Sequence, residues 1–292
     1  MNRLIVAVLA LASMVALGQS PDVVPFVEFR PTWTVRSGAK NLFHYYDEDA
    51  RYSLVGLKML LETGHRVYVA QRVERIDNSG DPDTVDEYYV EDRGEWRVGK
   101  QYLPFGRRGL LRETVLAARI DLDFISDELP LAVAACDGGS GRPRGVVARL
   151  GRSVGASVAT GKHFGIQATS FTAVQAPETA TGVGRGHRLI LGLDAARSFG
   201  SGFATFEAVA LREGHTAADR DRALTEARID FRVPGRLPYR VGASWARDWS
   251  DSRDYFAIRG ELGTGERISY SPVLRFEGRK FASFGLSAVV KL

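Results

Sequence analysis

The stretch LTEARIDFRVPGRLPYRVGASWARD, residues 224–248, decides the fold because apolar and charged residues alternate strictly along it. Ile229 and Phe231 stand between charged residues up to the turn pair Pro234 and Gly235, and the alternation then resumes. A period of two is that of a β-strand with one apolar and one polar face. The stretch therefore predicts an antiparallel hairpin whose apolar face is covered by something else.

The same alternation recurs along almost the whole chain of 292 residues. The strand-like stretches run at about 24–36, 51–62, 65–76, 84–92, 95–103, 113–124, 129–136, 144–151, 154–161, 187–197, 202–212, 223–233, 237–248, 254–262, 266–276 and 280–292. Two of them are ambiguous, because SLVGLKMLLE at 53–62 is apolar on both faces and GLLRETVLAARI at 109–120 also fits a helix. We therefore expect sixteen strands, or fourteen if these two stretches are not strands.

The connectors between these strands fall into two classes that take turns along the chain. One class is short, as at Thr63-Gly64 and Arg93-Gly94, and the other is mostly long and polar, as at 37–50 and 162–186. Alternate connectors of a meander lie at the same end of the sheet, and outer-membrane barrels have short turns at one end and long loops at the other. The pattern predicts an all-β fold, a transmembrane antiparallel up-and-down β-barrel of about 16 strands.

The first residues predict export. Arg3 precedes an apolar run that ends in small residues, which is typical of a secretory signal peptide at 1–18, so the barrel would occupy 19–292. We expect an outer-membrane protein of a Gram-negative bacterium. The net charge of +4 is too small to favour nucleic acid as a partner. Cys136 is the single cysteine, so no intramolecular disulfide can hold the fold.

Alternation by itself leaves a soluble periplasmic β-sandwich binding protein open, because a sandwich also buries one face of each strand. The last strand favours the membrane barrel. FGLSAVVKL, residues 284–292, resembles the C-terminal signal of outer-membrane barrel proteins, although it ends in Leu292 where an aromatic residue is usual. Aromatic residues near strand ends fit the interfacial girdles of such barrels; they are Trp33, Trp96, Tyr102, Tyr239, Trp245 and Phe276.

One hairpin carries a resemblance to a known family. DEYYVEDRGEWRVGKQYLPFG, residues 86–106, is similar to a hairpin of general and phosphate-selective porins, in which a strand with YVE is followed by a tight turn, VGK and PFG. The resemblance supports a porin-like barrel. About sixteen strands make a barrel wide enough for a water-filled lumen, so we expect a channel for small hydrophilic solutes. The expected partners are membrane lipids, lipopolysaccharide and small solutes or anions, with a homotrimer as one possible state of assembly.

The polar faces carry more arginines than carboxylates, which favours weak anion selectivity, since charged rings set the selectivity of pores. Cross-strand pairing with carboxylates would instead neutralise these arginines. A loop at 104–112 would either fold inward and constrict the pore or lie outside against lipopolysaccharide phosphates. The candidate pore-lining residues are Arg66, Arg72, Arg97, Arg107, Arg108, Arg119, Arg188, Arg228, Arg232, Arg240, Arg259 and Arg275.

Enzymatic and metal-binding patterns are sparse. The five histidines are scattered without zinc-ligand spacing, and pairs such as His163 with Ser170 lack a nucleophile motif. The acidic clusters at 47–49 and 248–254 have no calcium-loop spacing. We therefore expect a channel that is not an enzyme and holds no cofactor or metal. The alternatives are a structural or adhesive outer-membrane barrel without transport and the soluble periplasmic binding protein.

Overall fold

The structure is a computed structural model that describes residues 22–38, 41–46, 51–73, 85–92, 94–107, 114–122, 126–139, 143–164, 187–213, 221–234, 239–263 and 267–292. The predicted signal peptide at 1–18 lies outside these residues. Eighteen strand segments follow one another along the chain: β1 (Asp22–Phe29), β2 (Thr32–Arg36), β3 (Leu42–His44), β4 (Leu54–Leu60), β5 (Arg66–Arg72), β6 (Val85–Asp92), β7 (Trp96–Tyr102), β8 (Thr114–Leu122), β9 (Leu131–Asp137), β10 (Arg144–Leu150), β11 (Val154–Lys162), β12 (His187–Phe199), β13 (Gly202–Glu213), β14 (Arg222–Val233), β15 (Tyr239–Asp248), β16 (Arg253–Gly263), β17 (Ile268–Glu277) and β18 (Lys280–Lys291).

These segments make a closed barrel of sixteen antiparallel strands. The segments β1 and β2 are two halves of the first barrel strand, separated at Pro31, because both pair with β18. Likewise β3 and β4 are two halves of the second barrel strand, since they pair with β2 and β1 respectively. Every other strand pairs with its neighbours in sequence. The predicted up-and-down barrel is confirmed, and both ambiguous stretches contribute strands, β4 and β8.

The second barrel strand differs from the prediction. The sequence suggested one long connector at 37–50, but β3 already pairs with β2. The described residues 45–46 and 51–53 lie between β3 and β4, and an isolated bridge between Tyr46 and Tyr52 joins them; we call these residues the excursion. Alternation alone could not reveal the excursion, because LFHYY at 42–46 reads as the end of a loop rich in aromatic residues.

The two ends of the barrel differ in the way that the connectors predict. Short turns lie at the end where β1 begins and β18 ends, and Gly64 and Gly94 adopt positive φ in two of them. At the opposite end, the hairpin between β9 and β10 is stabilised by Asp137, which accepts hydrogen bonds from the Gly139 backbone N–H and from Arg144.

The two faces of the wall are reversed relative to a water-soluble protein. Large apolar side chains point outward and remain exposed, as Leu191 does at 52% and Ile258 at 52%. Charged and hydroxyl side chains on the alternate positions point inward and are buried, including Asp194, Arg259 and Ser287. An apolar exterior of this extent needs an apolar solvent or a partner to cover it. Of the residues described, none belongs to a helix long and apolar enough to cross a membrane.

The last strand alternates between the two faces of the wall. Leu286 is exposed on the outer face, whereas Ser283, Ser287 and Val289 are buried on the inner face. The predicted girdle residue Trp33 is also on the outer face, because it pairs with the exposed Phe43.

The loss of stability caused by a charge introduced on the outer face distinguishes a membrane barrel from a soluble one. We expect Leu191→Arg, in the middle of β12, to lower the free energy of unfolding in phospholipid vesicles by about 2–4 kcal/mol. The control Val154→Arg lies on the same face beside a short turn, where the cost falls to about 0–1 kcal/mol. Reversible urea titration of both variants measures the difference. Equal, small effects at the two positions would contradict a lipid-covered exterior.

Candidate functional site

The interior of the barrel is divided into an apolar half and a polar half. In the apolar half, small and medium-sized side chains on the inner faces of β8 to β14 are buried and in contact with one another. Three residues outside the strands, Leu103, Phe105 and Phe164, belong to the same cluster and are at most 2% exposed. We call this group the interior apolar cluster; its wall members are Val115, Ala117, Ala134, Cys136, Val147, Ala159, Ile190, Val209, Leu211 and Leu224.

The segment 103–107 follows β7 and enters the interior instead of continuing outward. The Phe105 ring lies against Gly192 on β12, where an added Cβ would come within 2.7 Å of two ring carbons. The next backbone N–H, that of Gly106, donates to Ser157 Oγ at 3.0 Å. Because β7 and β12 are far apart around the barrel wall, this contact can form only across the interior.

Arg107 fixes the end of this segment through contacts that reach toward the short-turn end of the barrel. Its Nε lies 2.7 Å from Asp194 Oδ1, and its Nη2 donates to the backbone carbonyls of Arg152 and Ser153 in a short turn. Arg149 also donates to Asp194, with Nη2 2.7 Å from Oδ1. The Asp194 side chain is fully buried, so two cations share one desolvated carboxylate. Arg149 binds Asp194 through charge-assisted hydrogen bonds, which are stronger than neutral ones, and Arg107 adds an ion pair to the same carboxylate.

The polar half of the interior is formed by the inner faces of β14 to β18 and of the first barrel strand. Hydroxyl groups bridge these strands, as where Thr32 Oγ1 donates to Ser287 Oγ at 2.9 Å. Arg259 donates to Ser244 Oγ at 2.9 Å, and Arg275 is 1% exposed. A cavity of about 380 Å³ opens at the short-turn end, where its lining includes Arg232, Arg240, Arg267 and Lys291.

The strand pairings place all ten candidate arginines that lie in strands on the inner face of the wall. Most of them have a carboxylate partner within 4 Å, as where Arg66 and Arg97 both contact Glu91 at 2.9 and 2.6 Å. Arg107 lies in the inward segment, and Arg108 lies outside the described residues. The other ion pairs of the candidate arginines are Arg72 with Asp86, Arg119 with Asp121, Arg228 with Asp230 and Arg240 with Glu261.

Two of the candidate arginines are held by neutral acceptors. Arg188 donates to the carbonyl of Phe164 and thereby fixes the start of the connector after β11 inside the barrel. Arg259 bonds to a hydroxyl, as described above. The expected cross-strand neutralisation therefore occurs on part of the wall, and it includes Arg240, which pairs with Glu261 beside Arg232 at the open cavity.

Sequence reasoning missed Arg51, which the excursion of the second barrel strand carries into the polar half. Arg51 lines a pocket of about 40 Å³ together with residues of β14 to β18 on the wall, including Arg228, Arg240 and Arg259. The base of the excursion is fixed by His44, whose Nε2 lies 2.9 Å from Thr34 Oγ1 and whose ring stacks on Tyr46.

A row of rings stiffens the wall near the first strand. Phe26, Tyr68 and Tyr89 stack face to face, with centroid distances of 5.6 and 5.1 Å. At the two ends of the stack, Lys58 lies over the Phe26 ring, 4.9 Å from its centroid, and Arg97 lies over the Tyr89 ring, 4.1 Å from its centroid. Their faces are covered by one another, so this row holds strands together and offers no open ring face to a solute.

Metal-ligating side chains form no cluster in the part of the chain that the structure describes. No group of three or more His, Cys, Asp or Glu residues there could hold a metal ion. Cys136 is buried in the interior apolar cluster, with its Sγ 3.5 Å from the Gly145 carbonyl. The acidic cluster at 47–49 and the predicted partner Ser170 lie outside the described residues.

Known proteins resemble this chain in structure but not in sequence. No protein-family model matches the chain, and no curated protein matches it in sequence. Among solved structures, the trimer form of OmpT, an outer membrane protein of Vibrio cholerae, has a TM-score of 0.63 at 9% identity, covering 94% of this chain and 100% of that one. The outer membrane channel DcaP of Acinetobacter baumannii has a TM-score of 0.61 at 10% identity, covering 94% of this chain and 97% of that one.

An anion-selective porin from Comamonas acidovorans is similar to the same extent, with a TM-score of 0.60 at 10% identity over 93% of this chain and 99% of that chain. Sequence identities this low show the fold alone. The chain therefore has the porin-like fold of outer-membrane barrels, as the resemblance at 86–106 implied, and the fold extends over nearly the whole chain.

The packing of Phe105 should hold segment 103–107 inside the barrel. We expect Phe105→Ala to speed tryptic cleavage after Arg107, because the segment loses its main apolar contact with the interior apolar cluster. Phe256→Ala is the matched control, since it removes a ring from the outer face of β16. Timed digestion of the folded proteins measures the rates. Equal cleavage rates in both variants would show that Phe105 does not anchor the segment.

Proposed function

We propose that this protein is an outer-membrane porin, a water-filled channel for passive diffusion of small hydrophilic solutes. One observation supports the proposal most strongly: charged residues line the inside of a closed sixteen-strand barrel while apolar residues cover its outside. A barrel of this width exceeds the eight strands whose interior side chains can fill completely. The proposal includes the export signal at 1–18, the outer membrane as location, and no covalent chemistry.

The division of the interior indicates where solutes would pass. The interior apolar cluster closes the half of the barrel that is formed by β8 to β14. The remaining space lies along β14 to β18, where charged and hydroxyl groups replace the hydration shell of a polar solute. We place the diffusion path along this wall, which contains Arg228, Arg232, Arg240, Arg259 and Arg275 of the candidate set.

The charge along this path supports a weak preference for anions. The two spaces beside β14 to β18 are lined by seven cationic and two acidic residues; these are Arg51, Arg228, Arg232, Arg240, Arg259, Arg267 and Lys291 against Asp230 and Glu261. Fixed positive charge lowers the barrier for anions and raises it for cations. The likeness to an anion-selective porin agrees with this proposal.

The exterior supports the proposed partners. Membrane lipids would cover the exposed apolar residues of the outer face, and lipopolysaccharide would lie at the long-loop end, where basic residues such as Arg144 are exposed. A homotrimer is the assembly that we propose, because a structural neighbour is described in a trimer form. A structural or adhesive barrel would share these partners but would not conduct ions.

Reversal potentials test both conductance and selectivity. In planar bilayers under a KCl gradient, we expect stepwise conductance. The reversal potential should be shifted from zero toward the equilibrium potential of chloride. The preference should weaken as salt rises, because salt screens the fixed charges of the path. Cation preference at low salt would refute the proposed selectivity, and bilayers that stay silent would favour the structural or adhesive barrel.

The Arg107 contacts predict a second electrical effect. We expect Arg107→Ala to change the single-channel conductance and increase current noise, because segment 103–107 loses its ion pair with Asp194 and two bonds to backbone carbonyls. Arg144→Ala, which removes an exposed ion pair at the long-loop end, is the control and should conduct like the unmodified protein. An unchanged trace for Arg107→Ala would mean that this segment does not border the path.

A further inference from the structure

Arg51 lies in the excursion, outside the regular strands of the wall. It lines a pocket together with residues of β14 to β18. The wall contributes Arg228, Arg240 and Arg259. Four arginines therefore line a space of about 40 Å³. Such a lining is suited to an oxyanion, since planar guanidinium groups bind carboxylates with paired hydrogen bonds.

The two acidic residues at the pocket leave its charge positive. Asp230 is occupied by Arg228 at 2.5 Å, a close ion pair that fixes the Arg228 head group. Glu261 is 3.8 Å from Arg240, and both of these side chains are about half exposed. A pair this long and this exposed contributes little stability, so an incoming carboxylate can replace Glu261 as the partner of Arg240 at small cost.

The pocket has room for an anionic head group but not for a whole solute. It shares Arg240 and Glu261 with the larger cavity of about 380 Å³ at the short-turn end. That cavity offers further polar groups, among them Tyr239, Ser269 and Arg267. The two spaces together fit a small molecule with one oxyanion at one end and a hydroxylated body at the other.

We propose that Arg51, Arg228, Arg240 and Arg259 form a binding subsite for the carboxylate of a small hydroxylated acid, and that Arg51 determines its specificity. The inference rests on the proposed channel function and names the class of solute that the channel retains longest. Arg51 then adds a positive charge to the polar half from outside the regular strands of the wall.

Gluconate and glucose are a matched pair of probes, because they are similar in size and in hydroxyl groups and differ in the carboxylate. We expect gluconate to reduce the single-channel chloride current at lower concentrations than glucose does. Arg51→Ala should raise the concentration of gluconate for half block about tenfold, the effect of losing a charge-assisted hydrogen bond. Arg51→Lys should recover part of the block, since it keeps the charge but loses the planar fork.

The control variant is Arg212→Ala, which removes an exposed arginine from the outer face of β13, paired across from Leu189. It should leave the gluconate block unchanged. Equal block by gluconate and glucose, or an Arg51→Ala channel with unchanged block, would overturn the proposal. Block by inorganic phosphate at much lower concentrations than gluconate would overturn the choice of a carboxylate.

Titration calorimetry of the detergent-solubilised protein with gluconate separates this inference from the proposed function. If bilayers stay silent but gluconate binds and Arg51→Ala abolishes the heat, the channel proposal fails while the subsite stands. If bilayers conduct but calorimetry detects no binding to the unmodified protein, the subsite fails while the channel stands.

Discussion

The structure depends on the pairing of every backbone polar group in a sheet that has an apolar exterior. Hydrocarbon offers no partner to an open edge, so a sheet covered by lipid has to close on itself. Here the first barrel strand closes the ring with β18, through pairs such as Glu28 with Lys291 and Thr34 with Gly285. Once the ring is closed, the period of two assigns every other side chain to the interior, and the interior has to accommodate them.

The inward side chains are accommodated in the barrel in two ways. Part of the inward side chains of β8 to β14 are alanine, valine, leucine and isoleucine, which pack together and are covered by Phe105 and Phe164 from two connectors. Other inward positions around the barrel are charged, and buried carboxylates such as Asp194 and Glu91 each contact two arginines. The first solution closes part of the barrel and the second leaves a polar path, so the same residues that stabilise the fold define the route that we propose for solutes.

Much of this arrangement could be predicted from the sequence, because a strand's alternation determines its faces locally. The stretch at 224–248 identifies Arg228, Arg232 and Arg240 as inward residues, and the strand pairings agree. The excursion could not be predicted, since it depends on contacts of His44 with Thr34 and Tyr46. The place of Phe105 depends on Gly192, a residue distant in sequence, and alternation contains no information on such contacts.

The direction of the side chains on β12 is the most direct test of the account. Nitroxide labels at each position from 189 to 194, in protein reconstituted into phospholipid bilayers, report collisions with oxygen in lipid and with a nickel chelate in water. The account predicts high oxygen access at 189, 191 and 193, with lower oxygen access at 190, 192 and 194. The opposite phase, or no alternation along the strand, would contradict it.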